Sequence, residues 1–117
     1  MAAVLVVDDD EGVRQLVVMI LKQSGYDVLW ACNGLEALMV YSSYRSRFDV
    51  VLTDIDMPQM NGLELAARIR ASDPGKPILL MTGREPDKSA LPENCPVLLK
   101  PFLPNQLVAA INSALKE

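Results

Sequence analysis

Two aspartates one residue apart close an apolar run in the stretch LTDIDMPQMNG, from Leu52 to Gly62. Another apolar run stops at Asp8, Asp9 and Asp10, and two more stop at Thr82 and Lys100. Carboxylates, a hydroxyl and an ammonium thus recur at equivalent places along the chain. Clustered carboxylates repel one another, so gathering them calls for a cation between them. Aspartate oxygens plus water suit a hard divalent ion, Mg2+ best, with Mn2+ as an alternative. With the cluster neutralised, one carboxylate oxygen can attack an incoming phosphorus and form an aspartyl phosphate. Lysine and threonine are the right groups to receive charge developing on the transferring oxygens. The residue types read as a phosphoryl acceptor site, with the choice of nucleophile still open. Helix capping is the competing explanation for Asp10 and Asp8, but it leaves Thr82 and Lys100 unexplained.

These groups must be positioned by strands that alternate with helices. AAVLVV is a valine-rich run that reads as a buried strand with acid at its carboxyl end. After it, Val13, Leu16, Val17, Ile20 and Leu21 recur at helical spacing, with Asp10 as N-cap and Ser24-Gly25 as the stop. DVLWAC is the next strand; Asn33 caps a helix carrying Leu35, Leu38 and Met39, with Glu36 placed for a capping box. DVVLTD is apolar enough to be a central strand. Leu63, Ala66, Ala67 and Ile69 mark a third helix, which ends near the turn cluster Ser72-Asp73-Pro74-Gly75. KPILLMT and PVLLK supply strands four and five, and Leu107, Val108, Ile111, Ala114 and Leu115 the face of the last helix. Five strand-then-helix units imply an α/β fold with a parallel sheet and right-handed crossovers. In such a sheet, ligands sit beyond the carboxyl ends of the strands. Asp8, Asp9, Asp54, Thr82 and Lys100 all fall there.

Composition bounds the rest. The 117 residues fit one domain, 1–117. A net charge of -4 leaves no electrostatic footprint for direct nucleic acid binding. The apolar runs at Val4–Val7 and Ile78–Met81 fall far short of the ~18 residues that cross a bilayer, and no signal peptide is visible. The chain has no histidine, and its two cysteines, Cys32 and Cys95, read as reduced core thiols of a cytoplasmic protein.

At this point VLVVDDD, VVLTDIDMPQMNGLEL, ILLMTG and LLKPF, in order over essentially the whole chain, together resemble the receiver domain of two-component response regulators. The resemblance implies a flavodoxin-like (βα)5 doubly wound five-stranded parallel sheet in the order 2-1-3-4-5. It also assigns roles. Asp54 matches the phosphoacceptor, and Asp9 the direct metal ligand. Asp8 matches the acid that acts through water, and Asp56 stands where a backbone carbonyl completes the metal shell. Thr82, Gly83 and Lys100 match the phosphoryl-binding groups. Lys100-Pro101 matches a peptide bond that is cis in the family. Met57-Pro58 and Gly62 look like the loop after the site, the glycine supplying a backbone shape other residues resist. The implied function is a phosphorelay switch rather than an enzyme. It would take a phosphoryl group from a sensor histidine kinase or a histidine phosphotransfer protein docked on the first helix, and signal to a downstream protein target as a monomer or weak dimer.

Some features depart from the family pattern. GREPDKSALPENCPVLL, between Thr82 and Lys100, is about one helical turn short and holds Pro86, Pro92 and Pro96, so the fourth helix should be short or irregular. Val97 stands where many members carry an aromatic three residues before the lysine. The same stretch is similar to receivers at the ends of hybrid histidine kinases, and a chain starting at Met1 fits either a free-standing protein or an excised domain. Asp56 and Arg84 occupy rim positions that tune phosphate lifetime in the family. Two rival classes compete. DIDMP also resembles the D-x-D start of haloacid-dehalogenase phosphatases, but Pro58 breaks that motif and no cap domain fits. A phosphate-independent interaction module usually lacks the acceptor or the lysine, and both are present here.

Overall fold

A computed structural model describes residues 2–44 and 47–116; Met1, where the sequence reading starts the domain, and Glu117, where it ends, lie outside the described residues. The elements are β1 (Ala3–Val7), α1 (Glu11–Gln23), β2 (Asp27–Ala31), α2 (Gly34–Tyr44), β3 (Val50–Asp54), α3 (Gly62–Ser72), β4 (Ile78–Thr82), β5 (Val97–Leu99) and α4 (Pro104–Leu115). All strand pairs are parallel, in the order β2-β1-β3-β4-β5. This is the doubly wound flavodoxin-like topology expected, including the irregular fourth crossover. Among the described residues there are four α-helices, and the fourth crossover carries a 3-10 turn, Lys88–Ala90, between Pro86 and Pro92. Prolines lack the N–H that a helix interior needs, and this stretch is too short to seat a further helix around them.

Strand alternation sorts the core onto two faces. Val4, Val6, Val50, Leu52, Leu79 and Met81 pack under α1 and α4, with Val17, Leu21, Leu107 and Ile111. Leu5, Val7, Val51, Ile78 and Leu80 point the other way, toward α2 and α3. Because β3 and β4 are buried along their whole length, both their faces are apolar up to Thr53 and Thr82, which is why they read as continuous runs that stop at polar residues.

Helix ends follow local chemistry. Asp10 accepts the Val13 N–H at 3.1 Å and so caps α1. At its other end Gly25 has φ 93°, and the Tyr26 N–H reaches the Leu21 carbonyl. Asn33 accepts the Glu36 N–H at 2.7 Å, while Glu36 reaches back one residue further than a capping box requires, to the Cys32 N–H.

Side-chain faces depart from expectation at three helices. In α2, Leu35 and Met39 are 55% and 71% exposed, and Gly34, Ala37 and Tyr41 turn inward instead. The helix is apolar all round, so periodicity alone does not choose a face. Gly34 decides it: a Cβ there would lie 2.8 Å from Met60 Sδ, so only this small-residue edge can come so close to the loop beneath. In α1, Leu16 is exposed and Arg14 is buried. In α3, Ala67 is exposed and Leu65 takes the inward place. Strand ends also shift by up to two residues: β5 stops at Leu99, leaving Lys100 just beyond it.

Candidate functional site

Register brings the sequence-selected groups together. Val7 pairs with Thr53, so Asp8 and Asp54 stand level on adjacent strands at the point where strand order reverses. Thr82 pairs with Leu99, which puts Lys100 directly beyond the end of β4. The Lys100 N–H donates to the Thr82 carbonyl at 2.8 Å, and the Lys100-Pro101 bond is cis, as expected.

Lys100 Nζ then bridges two acids, lying 3.0 Å from Asp54 Oδ1 and 3.2 Å from Asp8 Oδ2. Both carboxylates are buried and Asp9 is exposed, yet one carboxylate oxygen from each of the three acids falls within 4.8 Å of the others. That is near the ~4 Å between opposite oxygens around one magnesium ion, so the donor set fits a hard divalent cation with water completing its shell. The ammonium bridges the two buried acids and partly offsets their repulsion.

Burial drives the Asp54 carboxyl up to about 6 from an ordinary 3.8; the Lys100 hydrogen bond and charge pull it down, and the Asp8 and Asp56 charges push it up. For Lys100, burial is the largest influence and acts to lower its pKa. The Asp54 hydrogen bond and the charges of Asp8 and Asp54 outweigh it, so the ammonium sits above its usual value.

The other side of the site is differently built. Thr82 Oγ1 donates to Asp56 Oδ2 at 3.0 Å, and Arg84 pairs with Asp56 Oδ1 at 2.8 Å. Asp56 therefore engages both the hydroxyl and the rim arginine. Gly83 between them is exposed, and a Cβ there would meet nothing within 4 Å. Gly62 is needed for close approach rather than for an unusual φ: its Cβ would lie 2.2 Å from the Asp54 carbonyl oxygen. The positive φ in this loop falls instead on Gln59, at 68°. Met57 and Met60 are buried and plug the loop onto the core.

Every residue selected from the sequence thus lies at this edge. Sequence reasoning missed Arg14, whose Nη1 donates to the Asp8 carbonyl at 3.0 Å while its guanidinium lies 4.5 Å from the centre of the Trp30 ring. The only available signal was a cation on what should be an apolar helix face. Cys32 and Cys95 are both free thiols, half-buried and buried.

Comparison with known proteins gives consistent results. The family model described as "Response regulator receiver domain" matches residues 4–112. The chain is 36% identical over 120 residues to the transcriptional regulatory protein GlrR of Escherichia coli K12, covering 99% of this chain and 27% of that protein. It is 37% identical over 121 residues to the response regulator receiver protein CpdR of Brucella abortus, covering 98% of each. The chain thus spans about a quarter of the first relative and nearly all of the second. The structure of the response regulator protein TrrA of Thermotoga maritima in complex with Mg2+-BeF has a TM-score of 0.84 at 32% identity, covering 98% of this chain and 100% of that one.

Proposed function

The chain belongs to the response regulator receiver domain family, and on that premise we propose that Asp54 accepts a phosphoryl group from a phosphohistidine partner. The observation that carries this reading is the Lys100 bridge between Asp54 and Asp8 at the strand-order reversal. An Asp54 oxygen forms the new bond to phosphorus as the N–P bond of the donor imidazole breaks, and the imidazole nitrogen takes up a proton. The nucleophile must be ionised; with its carboxyl near 6, Asp54 is mostly so at pH 7. Lys100, the Thr82 hydroxyl and the Gly83 backbone receive the phosphoryl oxygens.

Asp8, Asp9, Asp54 and the Asp56 carbonyl are the groups that would hold Mg2+, with Mn2+ as an alternative, and TrrA was solved with Mg2+-BeF. The bound ion supplies neutralising charge at the acid cluster and at the transferring oxygens. The chain's own groups do the remaining work. Lys100 holds Asp54 toward the incoming phosphorus, and the burial of Asp8 and Asp54 excludes bulk water from the nucleophile.

The outcome is a switch with self-catalysed transfer and dephosphorylation rather than turnover of a released substrate. Thr82 must leave Asp56 to meet the phosphoryl group, and this exchange shifts a two-state equilibrium of the loops after β3 and β4. Asp56 and Arg84, once released, bound the path of the attacking water and set the lifetime of the phosphate. Output passes to a protein target. No described helix is long and apolar enough to cross a membrane, and the proposed site of action is the cytoplasm. The phosphatase reading loses ground because the Asp56 carboxylate is held by Thr82 and Arg84 rather than poised as a general acid.

The experiment is intact mass after incubation with magnesium and acetyl phosphate, for wild type and Asp54→Asn. One base-labile phosphoryl adduct, absent in the variant, is expected. An adduct that survives in Asp54→Asn overturns the acceptor assignment.

A further inference from the structure

Asp8 is held on all sides. Its N–H donates to the Ala31 carbonyl at 3.3 Å, Oδ1 accepts the Asp10 N–H at 2.9 Å, and Oδ2 accepts from Lys100 at 3.2 Å. Asp9, its neighbour in the acid cluster, is exposed, and no hydrogen bond or ion pair among the described residues holds its carboxylate. The direction in which Asp9 points is therefore left to its backbone. The peptide plane that joins Asp8 to Asp9 carries one oxygen, and Arg14 Nη1 grips that oxygen at 3.0 Å in a buried hydrogen bond.

Arg14 is itself only 8% exposed and has no carboxylate partner among the described residues, an unusual place for a guanidinium. The Trp30 ring lies 4.5 Å from its central carbon, so a cation–π contact replaces part of the lost hydration and restricts the rotamers of the arginine. Trp30 comes from β2, the edge strand paired to β1, and Ala31 beside it takes the Asp8 N–H. The edge strand thus takes the Asp8 N–H itself and, through Trp30, backs the α1 arginine that takes the Asp8 carbonyl.

We propose that Arg14 is a positioning residue for the metal-binding corner: by fixing the Asp8–Asp9 peptide plane, with Trp30 holding the guanidinium, it directs Asp9 at the ion. The inference rests on the reading of Asp8 and Asp9 as metal-binding acids. Its physical logic is that of groups one bond removed from a metal site, whose loss typically weakens binding about tenfold or more. Removing the arginine charge outright would also relieve its repulsion of a cation and mask the geometric effect. The decisive variants therefore keep the charge count.

Arg14→Lys retains the charge but loses the planar donor and the ring contact, and Trp30→Leu changes no charge at all. Free Mn2+ is counted by electron paramagnetic resonance to give its dissociation constant, Mg2+ follows by competition, and thermal unfolding without metal reports the fold. The expected result is about tenfold weaker Mn2+ and Mg2+ binding in Arg14→Lys and about threefold in Trp30→Leu. Tyr26→Phe, which removes a hydrogen bond to Asn112 away from the site, serves as control and keeps wild-type affinity even where its melting temperature falls. Wild-type affinity in folded Arg14→Lys and Trp30→Leu overturns the proposal while leaving the metal site intact. If one variant fails to fold, the other carries the test alone. If folded wild type takes up neither ion, the metal reading itself fails, and the proposal with it.

Discussion

The two sides of the site are built on opposite principles. Around Asp8, Asp54 and Lys100, side chains are wholly or largely buried and each bond supports another. Around Thr82, Asp56 and Arg84, one buried hydroxyl leans on an ion pair whose side chains are 79% and 41% exposed, and the chain beyond runs into a crossover with no α-helix. An exposed ion pair contributes about 0 to 1 kcal/mol, so this side can change partners at little cost. A buried cluster cannot rearrange so cheaply, since breaking one pair leaves an uncompensated charge. On the proposed reading the nucleophile and its lysine lie on the side that must not move, while Thr82, which would change partners on phosphorylation, lies on the side that can.

The buried side responds most strongly at Asp54. Asp54→Asn should abolish phosphoryl uptake and yet stabilise the metal-free protein at pH 7.5. The folded carboxyl holds its proton more tightly than the unfolded one, with values of about 6 and 3.8, so its ionisation costs stability that grows as pH rises through this window. Two units correspond to roughly 3 kcal/mol with the Lys100 attraction already included; imperfect seating of the amide in a carboxylate site reduces the gain to about 1 to 2 kcal/mol, read as a higher Tm. An unchanged or lower Tm would contradict the electrostatic strain assigned to the buried side.

Lys100→Met comes next. Transfer from acetyl phosphate should slow by about 100-fold or more, because a donor aimed at developing charge is lost. Stopped-flow or mass-resolved rates check this, and a loss under threefold would remove Lys100 from the chemistry. The pH dependence is a milder probe: at subsaturating metal, uptake should fall as pH drops through about 6, by about tenfold at pH 5, as Asp54 takes up its proton. A flat profile to pH 5 would mean that the resting carboxyl is not raised. The exposed side gives the smallest effects. Asp56→Ala and Arg84→Ala should change the dephosphorylation half-life about two- to fivefold and move Tm by no more than about 1 to 2 °C. Half-lives unchanged in both would sink the tuning role.

Legibility in the sequence followed the same divide. Strand ends were readable because a fully buried strand is apolar along most of its length, so polar residues mark its exit: Asp8 follows β1, Thr53 and Asp54 close β3, and Thr82 ends β4. The caps at Asp10 and Asn33 were readable because capping is local chemistry over three residues. The inward face of α2 was not. Of the expected stripe Leu35, Leu38 and Met39, only Leu38 packs on the core; Gly34 against Met60 determined the face, and that contact joins residues distant in sequence. Arg14 escaped for a related reason: a cation on a helix declares nothing until the Asp8 carbonyl and Trp30 are seen beside it.

The linear chain by itself determined which chemical groups stand at strand ends, since hydrophobic runs and local caps encode their own limits, and the motifs in order were enough to place it among receivers. Tertiary structure alone decided how those groups meet: that Lys100 bridges Asp54 and Asp8, that Thr82 rests on Asp56, and that Gly62 clears the Asp54 carbonyl. The reason is register. Parallel strands joined by long crossovers bring residues of β1, β3, β4 and β5 level only when the sheet forms, and no spacing along the sequence records which oxygen a given side chain will reach.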